Sequence, residues 1–211
     1  DYMALTCFAN GSLARERVRD AFGLTWSDFS ATLLSTPAGN RGRVLLPWFD
    51  PEITPAVSIA GVHRYGLAAD DGPGHVRGVV EAQMMSMALH SRWMGVEVKT
   101  IHATGGASAN REILQAMADV FGADVYQLAV GNSACLGAAL RARHADALAE
   151  GRNLDWDEVV RDVVTPVARR LQPDRSSAGV YRDLLGLYAA CEAHALGRGS
   201  APALDARPRS T

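Results

Sequence analysis

The sequence predicts an α/β domain, and three observations carry that prediction. Of the 211 residues, 48% are hydrophobic and 21% charged, the balance of an ordinary globular chain and unlike disordered, collagenous or coiled-coil sequences. From Val96 to His144 short apolar runs alternate with stretches of helical periodicity, in the order strand, helix, strand, helix. Turn and capping residues then fall where those periodicities break, so pattern and punctuation agree. Against a typical domain of roughly 150 residues, the length allows one domain with extensions or two small ones.

The elements follow in order. Tyr2 to Phe8 reads as a strand. Asn10-Gly11-Ser12 turns the chain into a helix that gathers Ala14, Val18, Ala21 and Phe22 on one face and stops at Gly23. Thr25, with Asp28 three residues later, makes a capping-box start for a second short helix carrying Trp26, Phe29, Leu33 and Leu34, which ends before Pro37. Trp26 therefore sits at a helix mouth. From Pro37 to Gly74 glycine and proline are frequent, and one apolar run, Val44 to Phe49, reads as a strand between long surface loops. Beyond Gly74, Val76, Val80, Met84, Met87, Ala88 and Ser91 keep helical spacing as far as Met94, a methionine stripe suited to a core.

The regular passage comes next. Val96 to Ala103 is a strand, Thr104-Gly105-Gly106-Ala107 a turn, and Ala109 to Phe121 a helix burying Ile113, Leu114, Met117 and Val120. Val125 to Val130 is a strand, Gly131-Asn132-Ser133 a turn capped by Ser133, and Ala134 to His144 a helix. The small residues Ala134, Gly137, Ala138 and Ala139 on that helix admit a closely packed partner. A helical piece near Val159 to Val164 and a final helix from Ser177 to Leu196 complete a domain over 1–196. The Gly, Pro, Ala and Arg of 197–211 read as a disordered tail.

Several function classes are disfavoured by composition and spacing. Lysine and arginine total 21 against 23 aspartates and glutamates, a net charge of −2, so nucleic acid and an anionic membrane surface are not expected partners. No apolar stretch approaches the roughly 18 residues of a membrane span, and no secretory signal opens the chain. The single lysine, Lys99, is followed by Thr100 but preceded by Val98, which excludes a Walker A loop. Cys7, Cys135 and Cys191 lack C-x-x-C spacing and are expected as reduced core thiols of a cytoplasmic protein. The histidines include no H-E-x-x-H and no close pair, so no metal ligands are expected. Ser108 lacks the G-x-S-x-G setting of a hydrolase nucleophile.

The turn at Thr104-Gly105-Gly106-Ala107 carries the chemistry. A strand that runs into paired glycines and then a helix can present backbone N–H groups to a nucleotide, because glycine lets ligand atoms approach the main chain; the plain alternative is an ordinary tight turn. Asn110, just inside the helix, offers amide donors and an acceptor, which match the ring nitrogen and amino group of adenine. Asp124 lies 19 residues beyond Gly105, near the spacing of a dinucleotide-binding acid. However, the glycines do not follow G-x-G-x-x-G, and Asp124 precedes the second strand instead of ending it.

From Ile101 to Gln115, with Ala118-Asp119-Val120-Phe121 and Asn132 to Ala139, the sequence resembles the nucleotide-binding segment of the FGGY carbohydrate kinases. Asn10 to Leu13, Arg15-Glu16, Trp26 to Ser30, Phe49-Asp50 and Glu52 to Pro55 extend the match, which runs from Tyr2 to about Leu196 and is closest to the ketopentose-kinase branch that includes the animal enzymes. The resemblance implies a ribonuclease H-like domain of the actin and hexokinase superfamily, the second of two, with ATP and a sugar meeting in the cleft between them. It further implies that Trp26 packs on adenine, that Gly106 and Ala107 line the nucleotide with Gly105 beside them, and that Asn110 binds the base. ATP/ADP and Mg2+ are the implied cofactors, a ketopentose the implied substrate, and the N-terminal domain the implied partner. The catalytic aspartate and sugar-binding residues would precede Asp1, so no catalytic residue is assigned in this chain. The second family signature is expected near Gly66 to Glu81 and is matched only loosely, at His75-Val76 and Glu81, so the resemblance leaves sibling specificities open. A kinase of another polyol or sugar (glycerol, gluconate or ribulose), or a non-catalytic nucleotide-binding module, are the alternatives.

Overall fold

The structure, a computed structural model, describes residues 3–127, 132–161, 163 and 170–204. Its helices are α1 (Ser12–Ala21), α2 (Trp26–Ser35), α3 (Gly72–His90), α4 (Arg111–Phe121), α5 (Ser133–Ala149), α6 (Trp156–Val160) and α7 (Ala178–Ala195). The strands are β1 (Val44–Trp48), β2 (Gly61–Tyr65), β3 (Thr100–Ala103), β4 (Asp124–Gln127) and β5 (Arg170–Leu171).

The predicted β-α-β unit forms, with β3 parallel to β4 in the register Thr100 to Asp124 and Ala103 to Gln127. A strand the sequence did not announce, β5, pairs antiparallel to β4, giving a three-stranded mixed sheet ordered β3-β4-β5. Among the described residues β3 has a strand neighbour on one side only. Val44 to Trp48 is the expected strand, but it pairs with β2, which lies inside the stretch read as surface loop. Leu45 and Leu46 are buried by that hairpin while β2 stays half exposed.

Helix α3 is the axis of the fold and touches α1, α2, α4, α7 and β1. Asp71 caps it, its carboxylate accepting from Gly74 N at 2.9 Å, and Pro73 occupies the first turn where no N–H is needed. One face of α3, with Val76, Val80 and Met84, packs with Val18, Phe29, Leu33 and Ile113. The opposite face presents Met85 to Leu46, Trp48, Tyr181, Leu184 and Tyr188. Phe29 and Leu33 are fully buried, each contributing about 1.5–3 kcal/mol by the apolar area it removes from water. The methionine stripe is core, as expected.

A helix buried on all sides must satisfy its polar groups internally. Arg77 and Glu81 pair one turn apart, Nε to Oε1 at 2.6 Å, and the same oxygen accepts from Tyr181 OH and Gly39 N, each at 2.8 Å. The network ties α3 to α7 and to the turn Ala38–Gly42. In that turn Gly39, Asn40 and Arg41 take φ of 77°, 47° and 57°. A Cβ at Gly39 would come within 2.2 Å of Val180 Cγ1, so both conformation and contact demand glycine there. Asn40 is held by its amide, which donates to Gly74 O at 2.9 Å.

Several expectations differ from the structure. Residues 3–8 form no strand, because no described strand pairs with them; Tyr2 lies outside the described residues. Val96–Lys99 precede β3 as coil, and β4 closes at Gln127, with Leu128–Gly131 outside the described residues. The helix α6 starts earlier than its predicted counterpart because Asp155 and Glu158 form a capping box; Asp162 and Val164 lie outside the described residues. On α5 only Ala147 is buried, so the small residues at 134–139 face solvent without a packed partner among the described residues. Asn132, not Ser133, caps that helix, because Asn132 Oδ1 reaches Cys135 N at 3.0 Å. Cys191 is core, but Cys7 and Cys135 are exposed, one on the unpaired N-terminal stretch and one on the open first turn of α5. Residues 197–204 follow α7 without helix or strand; 205–211 lie outside the described residues.

Candidate functional site

The site grows from the turn that leaves β3. Gly105 takes φ 86° and ψ −178°, a backbone conformation open to glycine, and sends the chain into a single 3-10 turn at Gly106–Ala109. That turn is closed by Ser108 N donating to Gly105 O at 3.0 Å and Asn110 N donating to Ala107 O at 3.1 Å. Neither Gly105 nor Gly106 has any atom within 4 Å of where a Cβ would stand. Among the described residues nothing therefore requires Gly106 to lack a side chain.

Asn110 is the N-cap of α4. Its Oδ1 accepts from Glu112 N and Ile113 N, both at 3.1 Å, and its Nδ2 donates to Ser30 Oγ at 2.6 Å. Ser30 is one turn into α2 and donates to Trp26 O at 3.0 Å. The adjoining end of α2 is fixed by the expected capping box, Thr25 Oγ1 accepting from Asp28 N at 3.1 Å and Asp28 accepting from Thr25 N at 3.0 Å. The Thr25 hydroxyl and backbone N–H hold the Asp28 carboxyl below its usual range. Trp26, the first residue of the helix, is 42% exposed, edge-on to buried Phe29, and lies beneath Arg19, whose guanidinium carbon is 4.6 Å from the indole centroid.

These residues meet. Trp26, Ser30, Thr104, Gly106, Ala107 and Asn110 line one open cleft of about 830 Å3 between α1, α2 and the β3–α4 turn. Gly105 stands beside its wall as the bend. Thr104 Oγ1 donates to Ser133 Oγ at 2.9 Å, so the turn after β3 and the start of α5 share one sheet edge. A second, apolar hollow of about 380 Å3 adjoins the cleft, with Met84, Met87, Ile101, Ala103 and Leu114 among its walls and Thr104 and Ala107 common to both.

The acidic side chains elsewhere on the β-α-β unit stand apart. Asp119, late in α4, accepts from Gln115 Nε2 and Asp174 N, each at 2.8 Å, and Asp124 pairs with Arg170. Among the described residues no three His, Cys, Asp or Glu side chains gather as a metal site. No helix of the described chain is long and apolar enough to cross a membrane. The signature residues His75 and Glu81 are buried and structural. His75 Nδ1 meets Asp71 O at 2.8 Å, and Glu81 anchors Arg77. Ser30 was not singled out for the site by the sequence, because a serine on a helix surface has no pattern of its own.

A mixed sheet flanked by helices, with a glycine turn beside an open cleft, is the α/β architecture that comparison with known proteins places in a family. Residues 3–145 match the C-terminal domain of the FGGY family of carbohydrate kinases, and the chain belongs to that family. It is 41% identical over 210 residues to the Rattus norvegicus protein named xylulose kinase, covering 95% of this chain and 38% of that protein. It is 36% identical over 163 residues to Arabidopsis thaliana xylulose kinase 2. The ligand-bound xylulose kinase of Lactobacillus acidophilus superposes with a TM-score of 0.76 at 25% identity, over 90% of this chain and 39% of that one. The fold is thus the ribonuclease H-like one of the actin and hexokinase superfamily, and the chain spans well under half the length of the relatives it matches.

Proposed function

We propose that this chain is the ATP-binding C-terminal part of a xylulokinase-like sugar kinase. In the complete protein it would transfer the γ-phosphoryl group of Mg·ATP to a hydroxyl of D-xylulose, giving D-xylulose 5-phosphate. The observation that carries the reading is the single cleft joining Trp26, Gly106, Ala107 and Asn110. Its volume suits a nucleotide, since ligand pockets run from about 300 to 1,000 Å3. An indole face stacks on a base, open glycine backbone admits the sugar and phosphates, and an amide N–H meets a ring nitrogen.

Phosphoryl transfer is governed by positioning and charge neutralisation, which two facing domains supply from both sides of the phosphates. This chain's residues would hold the adenosine end. The base that takes the sugar proton would come from the longer protein: Asp119 and Asp124 are engaged away from the cleft, and Glu16 and Glu112 line the part of it assigned to the adenosine end. Mg2+ would be carried chiefly by the nucleotide phosphates and waters. The exposed thiols of Cys7 and Cys135 suit a reducing cytoplasm.

The test is an assay of the 211-residue chain with Mg·ATP and D-xylulose, alone and then with the upstream half added as a separate polypeptide. Activity appearing only on mixing is the expected result. Robust phosphorylation by the isolated chain would refute the division of labour.

A further inference from the structure

The Asn110 amide is oriented by the fold before any ligand arrives. Its oxygen has two lone pairs, and the backbone N–H groups of Glu112 and Ile113 take both. Two backbone donors also fix which end of the amide is oxygen, so the nitrogen faces Ser30 Oγ at 2.6 Å. Ser30 is pinned in turn, its single proton given to Trp26 O. Among the described residues one N–H of Asn110 is left for a ligand and no acceptor.

Two-point recognition of adenine needs a donor for a ring nitrogen and an acceptor for the 6-amino group. Asn110 supplies only the first unless α4 loses its cap. Ser30 cannot replace the second with any selectivity. Its hydroxyl accepts from a 6-amino group or, by turning its proton away from Trp26 O, donates to a 6-oxo group. Stacking on Trp26 is likewise indifferent to the 6-substituent.

We propose that this cleft reads a purine through N7, an acceptor in adenine and 6-oxopurines alike, and ignores its 6-substituent, so that 6-oxopurine nucleotides bind as well as adenine nucleotides. Ser30 is the positioning residue that aims the Asn110 N–H. The inference rests on the reading of this cleft as the nucleotide site.

Ligand-observed NMR titration of the 211-residue chain with ADP and with IDP, which carries a 6-oxo group in place of the 6-amino group, tests it. A bidentate pair would separate the two by roughly 5- to 150-fold, the equivalent of about 1–3 kcal/mol. Dissociation constants within five-fold of each other support the proposal. ADP binding with IDP more than five-fold weaker overturns it and leaves the nucleotide site standing, whereas binding of neither overturns both.

Two variants test the roles. Asn110→Asp keeps an equally good cap but removes the N–H, and should weaken ADP and IDP in parallel at unchanged thermal stability. Ser30→Ala should weaken both several-fold, with Ser30→Thr restoring them. Unchanged affinity in Ser30→Ala would end the positioning role.

Discussion

Asn10 and Glu52 hold one another across the entry to α1. The Asn10 backbone N–H and Nδ2 both donate to Glu52 Oε2, at 3.1 and 2.9 Å, while Asn10 Oδ1 accepts from Asp50 N at 3.0 Å. Burial pushes the Glu52 carboxyl up, but donors from Ala9, Asn10 and Ile53 together outweigh it and leave the group below its usual range. The folded pKa is therefore depressed. The stabilisation is complete above the unfolded value and is lost as pH falls through the folded one. Glu52→Gln should cost about 2 kcal/mol in urea unfolding at pH 7, and the gap to the parent chain should narrow below about pH 4. A gap independent of pH would contradict this.

Arg77 and Glu81 give the opposite sign. Burial raises the Glu81 carboxyl above the usual range even with Arg77 beside it, and Glu81 Oε2 has no hydrogen-bond partner among the described residues. Arg77→Met should cost about 3–5 kcal/mol, because it strands a buried carboxylate. Since the folded pKa lies above the unfolded one, stability of the variant should rise as pH falls through the folded value. Urea midpoints at pH 8 and pH 5 check it: the Arg77→Met deficit should be smaller at pH 5.

Gly105 and Gly106 separate conformation from access. Gly105→Ala forces a side chain into φ 86°, a strain of about 1–3 kcal/mol, and should lower both the thermal midpoint and ADP affinity. Gly106→Ala places its methyl in open space and should leave the midpoint unchanged while weakening ADP. Equal loss of stability in the two variants would show that Gly106 serves folding.

Trp26→Ala distinguishes a stacking platform from core. With the indole 42% exposed, the stability loss should stay below the roughly 3–5 kcal/mol typical of truncating a buried tryptophan. Loss of base stacking, about 1–3 kcal/mol, should raise the ADP dissociation constant by roughly five-fold or more. Unchanged affinity with a large drop in unfolding free energy would assign Trp26 to the core.

How much of this was legible in the sequence depended on range. Local signals are where their residues predict: the Thr25–Asp28 capping box, the glycine stop after α1 with Gly23 at φ 63°, and the apolar faces of α3 and α4. Pairing was illegible where the strand is short or half exposed. β2 offers Gly61–Tyr65 without apolar alternation, and β5 is two residues long, so only the tertiary partner makes either a strand. Met3 to Phe8 shows the reverse, a strand pattern without a strand neighbour among the described residues. The cleft residues were visible through the glycine turn and the resemblance. That the Asn110 oxygen caps α4, and that Ser30 supports its nitrogen, was not visible, because neither follows from spacing.

Among the described residues one side of β3 has no strand neighbour, and this has a practical consequence for work with the chain alone. Unpaired backbone N–H and C=O groups along a sheet edge template further strands. The unpaired stretch at 3–8 carries Met3 and Leu5 at 88% and 74% exposure. In a bottle of purified protein these two surfaces can meet between molecules, and such association would grow with concentration and compete with the ligands being titrated. Affinities should therefore be read across a dilution series, where a value drifting with protein concentration reports self-assembly through that edge and a constant one reports the cleft.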